Sequence, residues 1–312
     1  MKKKPNLFIV GHPKSGTTAL HFFLNQHPDI YMSALKEPSY FCKDFHRESD
    51  AFHHRRLFFE IREEQQYLEL FSRSGDKKIV GESSALVYLY SKVAAEEIYR
   101  FNPDAKIIIM LRNPADFLHS LHNQFIILGY EDVEDFRIAL SLEEERRTGK
   151  HIPSGVRTPS FLYYSKWIKY AEQVKRYYEF FDPSQVRVII FEEFKDNNDR
   201  IYSETLRFLD IDPEFIPEFG EVNPTKRPRY KKLHSLLFNP LLKKIVKTAF
   251  PPIFYDRILD GAFKLFMKEE SRAPMDNSIR CELMEKCRED MAELEALLSK
   301  DLDKKWGGGV RK

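Results

Sequence analysis

Val10-Gly11-His12-Pro13-Lys14-Ser15-Gly16-Thr17-Thr18-Ala19-Leu20 joins an apolar run to an amphipathic one, and its reading decides the fold. The preceding Leu7, Phe8 and Ile9 continue with Val10 as an unbroken apolar run, a buried strand, while 17–26 spaces its apolar residues as a helix does. A glycine-bearing loop between a strand and a helix aims backbone N–H groups and the helix N-terminus at an anion. The loop that holds nucleoside triphosphates reads G-x-x-x-x-G-K-[ST], with lysine after the second glycine and a hydroxyl for Mg²⁺. Gly11 and Gly16 keep that spacing, but Thr17 follows Gly16 and Lys14 stands two residues before it. The displaced lysine points to a phosphorylated ligand other than Mg-ATP.

The next strong strand agrees. In triphosphate-hydrolysing enzymes a second apolar strand ends in an aspartate that helps hold the metal. Here Lys106–Leu111 is that strand, and it ends in Arg112. A guanidinium repels a metal and offers a planar fork to a phosphate. Loop and arginine together describe a site for a doubly phosphorylated nucleotide bound without metal. A P-loop kinase of small molecules would share the fold, but it requires the missing lysine after Gly16 and tolerates Arg112 poorly. A nucleic-acid binder would use the basic stretch 226–232, yet a net charge of +2 is too balanced for a strong electrostatic footprint.

Pro13-Lys14-Ser15-Gly16-Thr17-Thr18, followed by Leu111-Arg112-Asn113-Pro114 and Ser120, resembles the PAPS-dependent sulfotransferase superfamily, where PAPS is 3′-phosphoadenosine 5′-phosphosulfate. The resemblance implies that Lys14, Ser15, Gly16, Thr17 and Thr18 bind the 5′-phosphosulfate and that Arg112 and Ser120 bind the 3′-phosphate. Lys36-Glu37-Pro38-Ser39-Tyr40-Phe41 is similar to the glycosaminoglycan branch and its bacterial relatives, which makes Glu37 the general base. The cytosolic small-molecule branch uses a histidine between the second strand and the arginine strand. No histidine lies between Glu82 and Arg112, so His12, His119 and His122 are the fallback candidates. A late basic loop of the family folds over the nucleotide, which carries Lys226 and Arg227 over as donor-binding residues, although the family's lysine–glycine pair is absent here.

The implied reaction moves a sulfuryl group from PAPS to a hydroxyl, with a carbohydrate as the first choice of acceptor and a lipid or secondary metabolite as alternatives. Charge gathers on the bridging oxygen of the leaving phosphate, as in phosphoryl transfer. The group transferred carries one negative charge, so Lys14 and loop amides suffice and Mg²⁺ is dispensable. Lys14 and Glu37 are the expected catalytic residues, and no metal ligand set is expected.

Across 312 residues, 42% hydrophobic and 31% charged, the chain reads as folded, and its alternating strands and helices predict an α/β protein with a P-loop-like, doubly wound parallel sheet flanked by helices. One domain over 1–312 is expected, with a nucleotide-binding core at 1–210 and a basic loop and helical C-terminal part at 211–312. The strands read as 7–10, 78–81, 106–111 and 186–191. Helices read as 91–101, 114–128 with Gly129 as its stop, a long aromatic-rich one at 161–181, and 277–300, which suits packing or homodimerisation. The charged 131–155 reads as a mobile surface element, and Glu192 and Glu193 as structural carboxylates. The basic amphipathic 234–268 suits core packing or peripheral membrane contact. Three cysteines, Cys42, Cys281 and Cys287, have no metal-ligand spacing, so neither disulfides nor zinc are expected. With no signal peptide and no apolar run long enough to span a bilayer, a cytoplasmic location follows, for a bacterial protein or a trimmed catalytic domain.

Overall fold

Five parallel strands carry the site: β1 Leu7–Gly11, β2 Ile30–Met32, β3 Ile79–Ser83, β4 Lys106–Leu111 and β5 Val186–Ile190, in the order β2-β3-β1-β4-β5. The structure, a computed structural model, describes residues 3–220 and 274–307 together with the backbone of 226–228 and 267–269. Every residue of β1 and β3 is buried, as a parallel sheet covered on both faces requires. Alternation along β1 sends Phe8 and Val10 into one core and Leu7 and Ile9 into the other. Leu7 stands opposite Gly81 of β3 and Lys106 of β4, which fixes the register on both sides of the central strand.

The chain leaves β1 through helix α1, Thr17–Asn25, toward the β2 side of the sheet, and leaves β4 through the helix Pro114–Leu128 toward β5. The carboxyl ends of β1 and β4 therefore flank the point where the winding reverses, which is where a doubly wound sheet binds ligands. Asn113 caps the second of these helices, accepting from the Ala115 and Asp116 amides at 3.0 and 3.1 Å, and Pro114 occupies its first turn. Gly129, at φ 71°, ends it as expected.

Several expectations are corrected. Strand β2 is absent from the sequence reading, so the stretch expected as the second strand is the third, and it runs on to Ser83. The helix expected from residue 91 begins at Ala94. The helix expected over 161–181 is three pieces, a 3-10 turn Pro159–Leu162 and helices Tyr164–Trp167 and Tyr170–Tyr178. It breaks because its polar groups have other partners: the Gln173 carboxamide donates to the carbonyls of Lys166 and Trp167 at 2.9 and 3.3 Å, and the Ala171 amide donates to Asp290 at 3.2 Å. The break lets Phe161, Tyr164, Trp167 and Tyr170 all be buried, which one helical stripe would not allow.

The charged 131–155 is largely exposed, as a surface element should be, but it is anchored by a buried ion pair. Arg146 and Glu131, both fully buried side chains, form a two-pronged pair at 2.7 Å, and the Tyr164 hydroxyl adds a bond to Glu131 at 3.0 Å. The helix Asn277–Leu298 buries Ile279, Leu283, Cys287, Met291 and Leu294, packing on Pro114–Leu128 and Tyr170–Tyr178, with Arg280 paired to Asp116. Glu192 accepts from the Asn113 amide and the Trp306 indole, and Glu193 pairs with Lys300 and Lys305, so both carboxylates tie the C-terminal part to the sheet. Lys226–Pro228 and Met267–Glu269 form a two-stranded antiparallel ribbon. Of 234–268, all but Met267 and Lys268 lie outside the described residues.

Candidate functional site

The loop after β1 is built around glycine. Gly16 caps α1 at φ 85°, a left-handed conformation that favours glycine, and a Cβ there would stand 3.1 and 3.2 Å from the rings of Phe194 and Phe191. The N-cap residue Gly16 has no side chain to cap α1, so among the described residues the first-turn N–H groups, which lack intrahelical acceptors, are left to a ligand. A Cβ on Gly11 would meet the Cβ of Leu89 at 2.5 Å, while the Leu89 amide donates to the Val10 carbonyl at 2.8 Å. The segment after β3 thus presses against the root of the loop. Lys14 reaches Gln124 of the helix Pro114–Leu128, its Nζ 3.3 Å from Oε1. Ser15 is buried and directs its hydroxyl to the Pro13 carbonyl at 3.4 Å.

Arg112 comes to the same loop from β4. Its Nη1 donates to the Lys14 carbonyl at 3.1 Å, its guanidinium lies 4.9 Å from the centre of the Phe191 ring, and its own carbonyl accepts from the Tyr170 hydroxyl at 3.0 Å. Its Nε is buried with no hydrogen-bond partner among the described residues. These features fit a phosphate-bearing nucleotide. Ser120 is nearly buried on the helix Pro114–Leu128, one turn before Gln124 and on the same face. The backbone of Lys226 and Arg227 lies in the two-stranded ribbon; their side chains are outside the described residues.

Glu37 stands in a turn between β2 and the helix α2, Lys43–His53, with Glu37 at φ 57° and Ser39 at φ 56°. The Glu37 amide donates to the Ser83 carbonyl at 2.9 Å, and its carboxylate accepts from the Leu86 amide at 3.1 Å. Its neighbour Lys36 crosses to the phosphate loop, donating to the Thr18 hydroxyl at 2.5 Å. The Lys36–Glu37 turn and the loop are thereby joined. Burial raises the Glu37 carboxyl above the usual carboxylate range, against the pull of Lys36, the Leu86 amide and Arg157. Burial likewise lowers Lys36, offset by Glu37. Arg157, whose charge opposes that rise at Glu37, lies over Phe59, Phe58 and Tyr130, 5.0 to 5.9 Å from their ring centres.

Two of the fallback histidines, His12 and His122, are lowered by burial. His12 is fully buried, with Nε2 2.7 Å from Gln173 Oε1. Since the Gln173 NH₂ group is spent on two carbonyls, its oxygen faces His12, and the network assigns the proton to Nε2. Burial pushes its pKa down to about 3. His122 is held by the Val133 carbonyl at 2.8 Å and is also lowered by burial. His119 packs against the Phe136 ring in a tilted pair, 5.2 Å between centres. Cys42 is buried, and burial drives its thiol well above the ordinary value, so it is not a nucleophile.

A parallel sheet with an uncapped glycine loop at its switch point and an arginine fork beside it defines a phosphate-loop α/β protein. Within that class the chain belongs to the sulfotransferase domain family, whose profile matches residues 4–232. It is 24% identical over 299 residues to mouse carbohydrate sulfotransferase 15, covering 80% of this chain and 52% of that protein. It is 26% identical over 300 residues to mouse bifunctional heparan sulfate N-deacetylase/N-sulfotransferase 4, covering 94% of this chain and 30% of that protein. The chain thus spans about half, or less, of the length of these relatives. The crystal structure of a sulfotransferase from Alicyclobacillus acidocaldarius superposes with TM-score 0.69 at 29% identity, covering 96% of this chain and 98% of that one.

The sequence reading overlooked Lys36 as a partner of the loop and Gln124 as a partner of Lys14. The only available signals were Lys36's place beside Glu37 and Gln124's place one turn beyond Ser120.

Proposed function

We propose that this chain transfers the sulfuryl group of PAPS to a hydroxyl of a carbohydrate acceptor, without a metal, and that Glu37 takes the hydroxyl proton. As the acceptor oxygen–sulfur bond forms, the bond from sulfur to the bridging phosphate oxygen breaks, and adenosine 3′,5′-bisphosphate departs. Lys14 neutralises the charge left on that phosphate, together with the amides at Gly16, Thr17 and Thr18. Ser15 shapes the loop. Arg112, with Ser120 and with Lys226 and Arg227 from the ribbon, is assigned to the nucleotide's 3′-phosphate side.

The observation that supports this reading is the Lys36–Thr18 contact, which ties the turn bearing Glu37 to the first turn of α1. A carboxylate raised by burial is a better proton acceptor than an exposed one, which supports the base assignment. The carbohydrate choice rests on the named relatives.

The test is transfer from radiolabelled PAPS to a panel of polysaccharides, lipids and small alcohols, with Glu37→Gln alongside. Glu37→Gln keeps the shape and removes the basicity, so turnover should fall by about 10²-fold or more, the scale of a general base, with adenosine 3′,5′-bisphosphate binding nearly unchanged. A variant retaining more than half its activity would remove Glu37 from the chemistry.

A further inference from the structure

We infer that Glu82 is a positioning residue for Glu37: through the hydroxyls of Ser84 and Tyr88 its carboxylate fixes the three backbone amides that follow Glu37. The inference rests on the base reading above, but its geometry does not. Glu82 is fully buried at the end of β3, opposite Phe8 of the central strand. Its Oε1 accepts from the Tyr67 and Tyr88 hydroxyls, each at 2.8 Å, and its Oε2 accepts from the Ser84 hydroxyl at 2.6 Å. Ser84 Oγ in turn accepts from the Ser39 amide at 3.0 Å, and the Tyr88 oxygen accepts from the amides of Tyr40 and Phe41 at 3.0 and 3.3 Å.

Each hydroxyl has one proton. Those of Ser84 and Tyr88 receive backbone N–H groups on the oxygen and pass their own protons to Glu82, so the relay closes only if Glu82 accepts throughout. A carboxylate does this; a carboxamide of the same shape has one oxygen and an NH₂ group that needs acceptors. With a carboxamide, the hydroxyl that faces the NH₂ group must turn its proton away and accept there instead, which loosens its hold on the backbone amide it shares. Such a buried network is satisfied together or lost together.

The direction of the relay is what singles it out. All three held amides lie within four residues of Glu37, and the chain just beyond Ser84 supplies the Leu86 amide to the Glu37 carboxylate. The turn itself is strained at Glu37 and Ser39, two non-glycine residues with positive φ, and such a turn persists only where its surroundings over-determine it. Burial pushes the Glu82 carboxyl up to about 7, and the three hydroxyls oppose that rise.

The experiment is site-resolved hydrogen exchange on wild type, Glu82→Gln, Tyr88→Phe and the double variant Glu37→Gln/Glu82→Gln, with transfer kinetics and adenosine 3′,5′-bisphosphate binding on the same samples. In Glu82→Gln the amides of Ser39, Tyr40 and Phe41 should exchange about tenfold faster or more, while those of β4 are unchanged, as local opening differs from global unfolding. Turnover should drop with nucleotide binding retained, and in the Glu37→Gln background Glu82→Gln should cost almost nothing further, the non-additivity of residues acting as a unit. Tyr88→Phe keeps the ring and should reproduce the faster exchange at Tyr40 and Phe41 if Glu82→Gln does not fold. Unchanged exchange at the three amides, or losses that add, would overturn the inference. If Glu37→Gln alone remains active, the base reading fails, and the exchange rates still decide whether Glu82 holds the turn.

Discussion

Arg112, just past β4, holds the loop that carries Lys14, and the expected losses of the two differ in kind. Lys14 is proposed to meet the charge that develops on the leaving phosphate, so Lys14→Ala should cut turnover by at least about 10²-fold, the scale of losing one transition-state donor. Arg112 is assigned to a phosphate that carries the same charge before and after transfer, so Arg112→Ala should weaken nucleotide binding and leave saturated turnover much less affected. Comparing kcat with the adenosine 3′,5′-bisphosphate dissociation constant for both variants checks this; unchanged nucleotide affinity in Arg112→Ala would place the 3′-phosphate elsewhere. Both residues were legible because their spacing from Gly16 and from an apolar strand departs from the triphosphate pattern. Lys36 was not legible as a partner of Thr18, since that contact joins two elements 18 residues apart through a long flexible side chain. Nor was the neutrality of His12, which depends on burial and on the orientation of Gln173.

At the scale of elements, the strand–loop–α1 unit bears the proposed donor site, and Gly16 is the residue at which the loop turns into α1. Gly16→Ala asks an L residue to hold φ 85° and sets a methyl against Phe194 and Phe191, so it should cost about 1–2 kcal/mol for the left-handed backbone alone. Denaturant unfolding measures that loss, and nucleotide binding should weaken with it; a variant as stable and as tight as wild type would mean that the loop's conformation is not what binds. The elements that escaped the sequence reading did so for local reasons. Strand β2 has only three residues, Ile30–Met32, too few for any period to show. The 161–181 helix was misread because its aromatic density mimics a continuous buried helix, whereas Gln173 and Asp290 draw off the bonds such a helix needs.

Over the whole molecule, the helix Asn277–Leu298 closes the core that backs the site, because it packs on the helix carrying Ser120 and Gln124 and on the helix carrying Tyr170 and Gln173. Leu294 is fully buried in that seam, so Leu294→Ala should destabilise the fold by about 2–5 kcal/mol, read from the shift of a denaturant midpoint. A loss under about 0.5 kcal/mol, the range of surface changes, would mean that the helix is not part of the cooperative fold. The central claim is that this sheet presents a metal-free site for a nucleotide with two separated phosphate positions. Titration calorimetry in EDTA, with adenosine 3′,5′-bisphosphate against ADP, tests it most directly. The account predicts clear binding of the 3′,5′-bisphosphate and far weaker binding of ADP; equal affinity for the two, or binding that appears only with Mg²⁺, would contradict it.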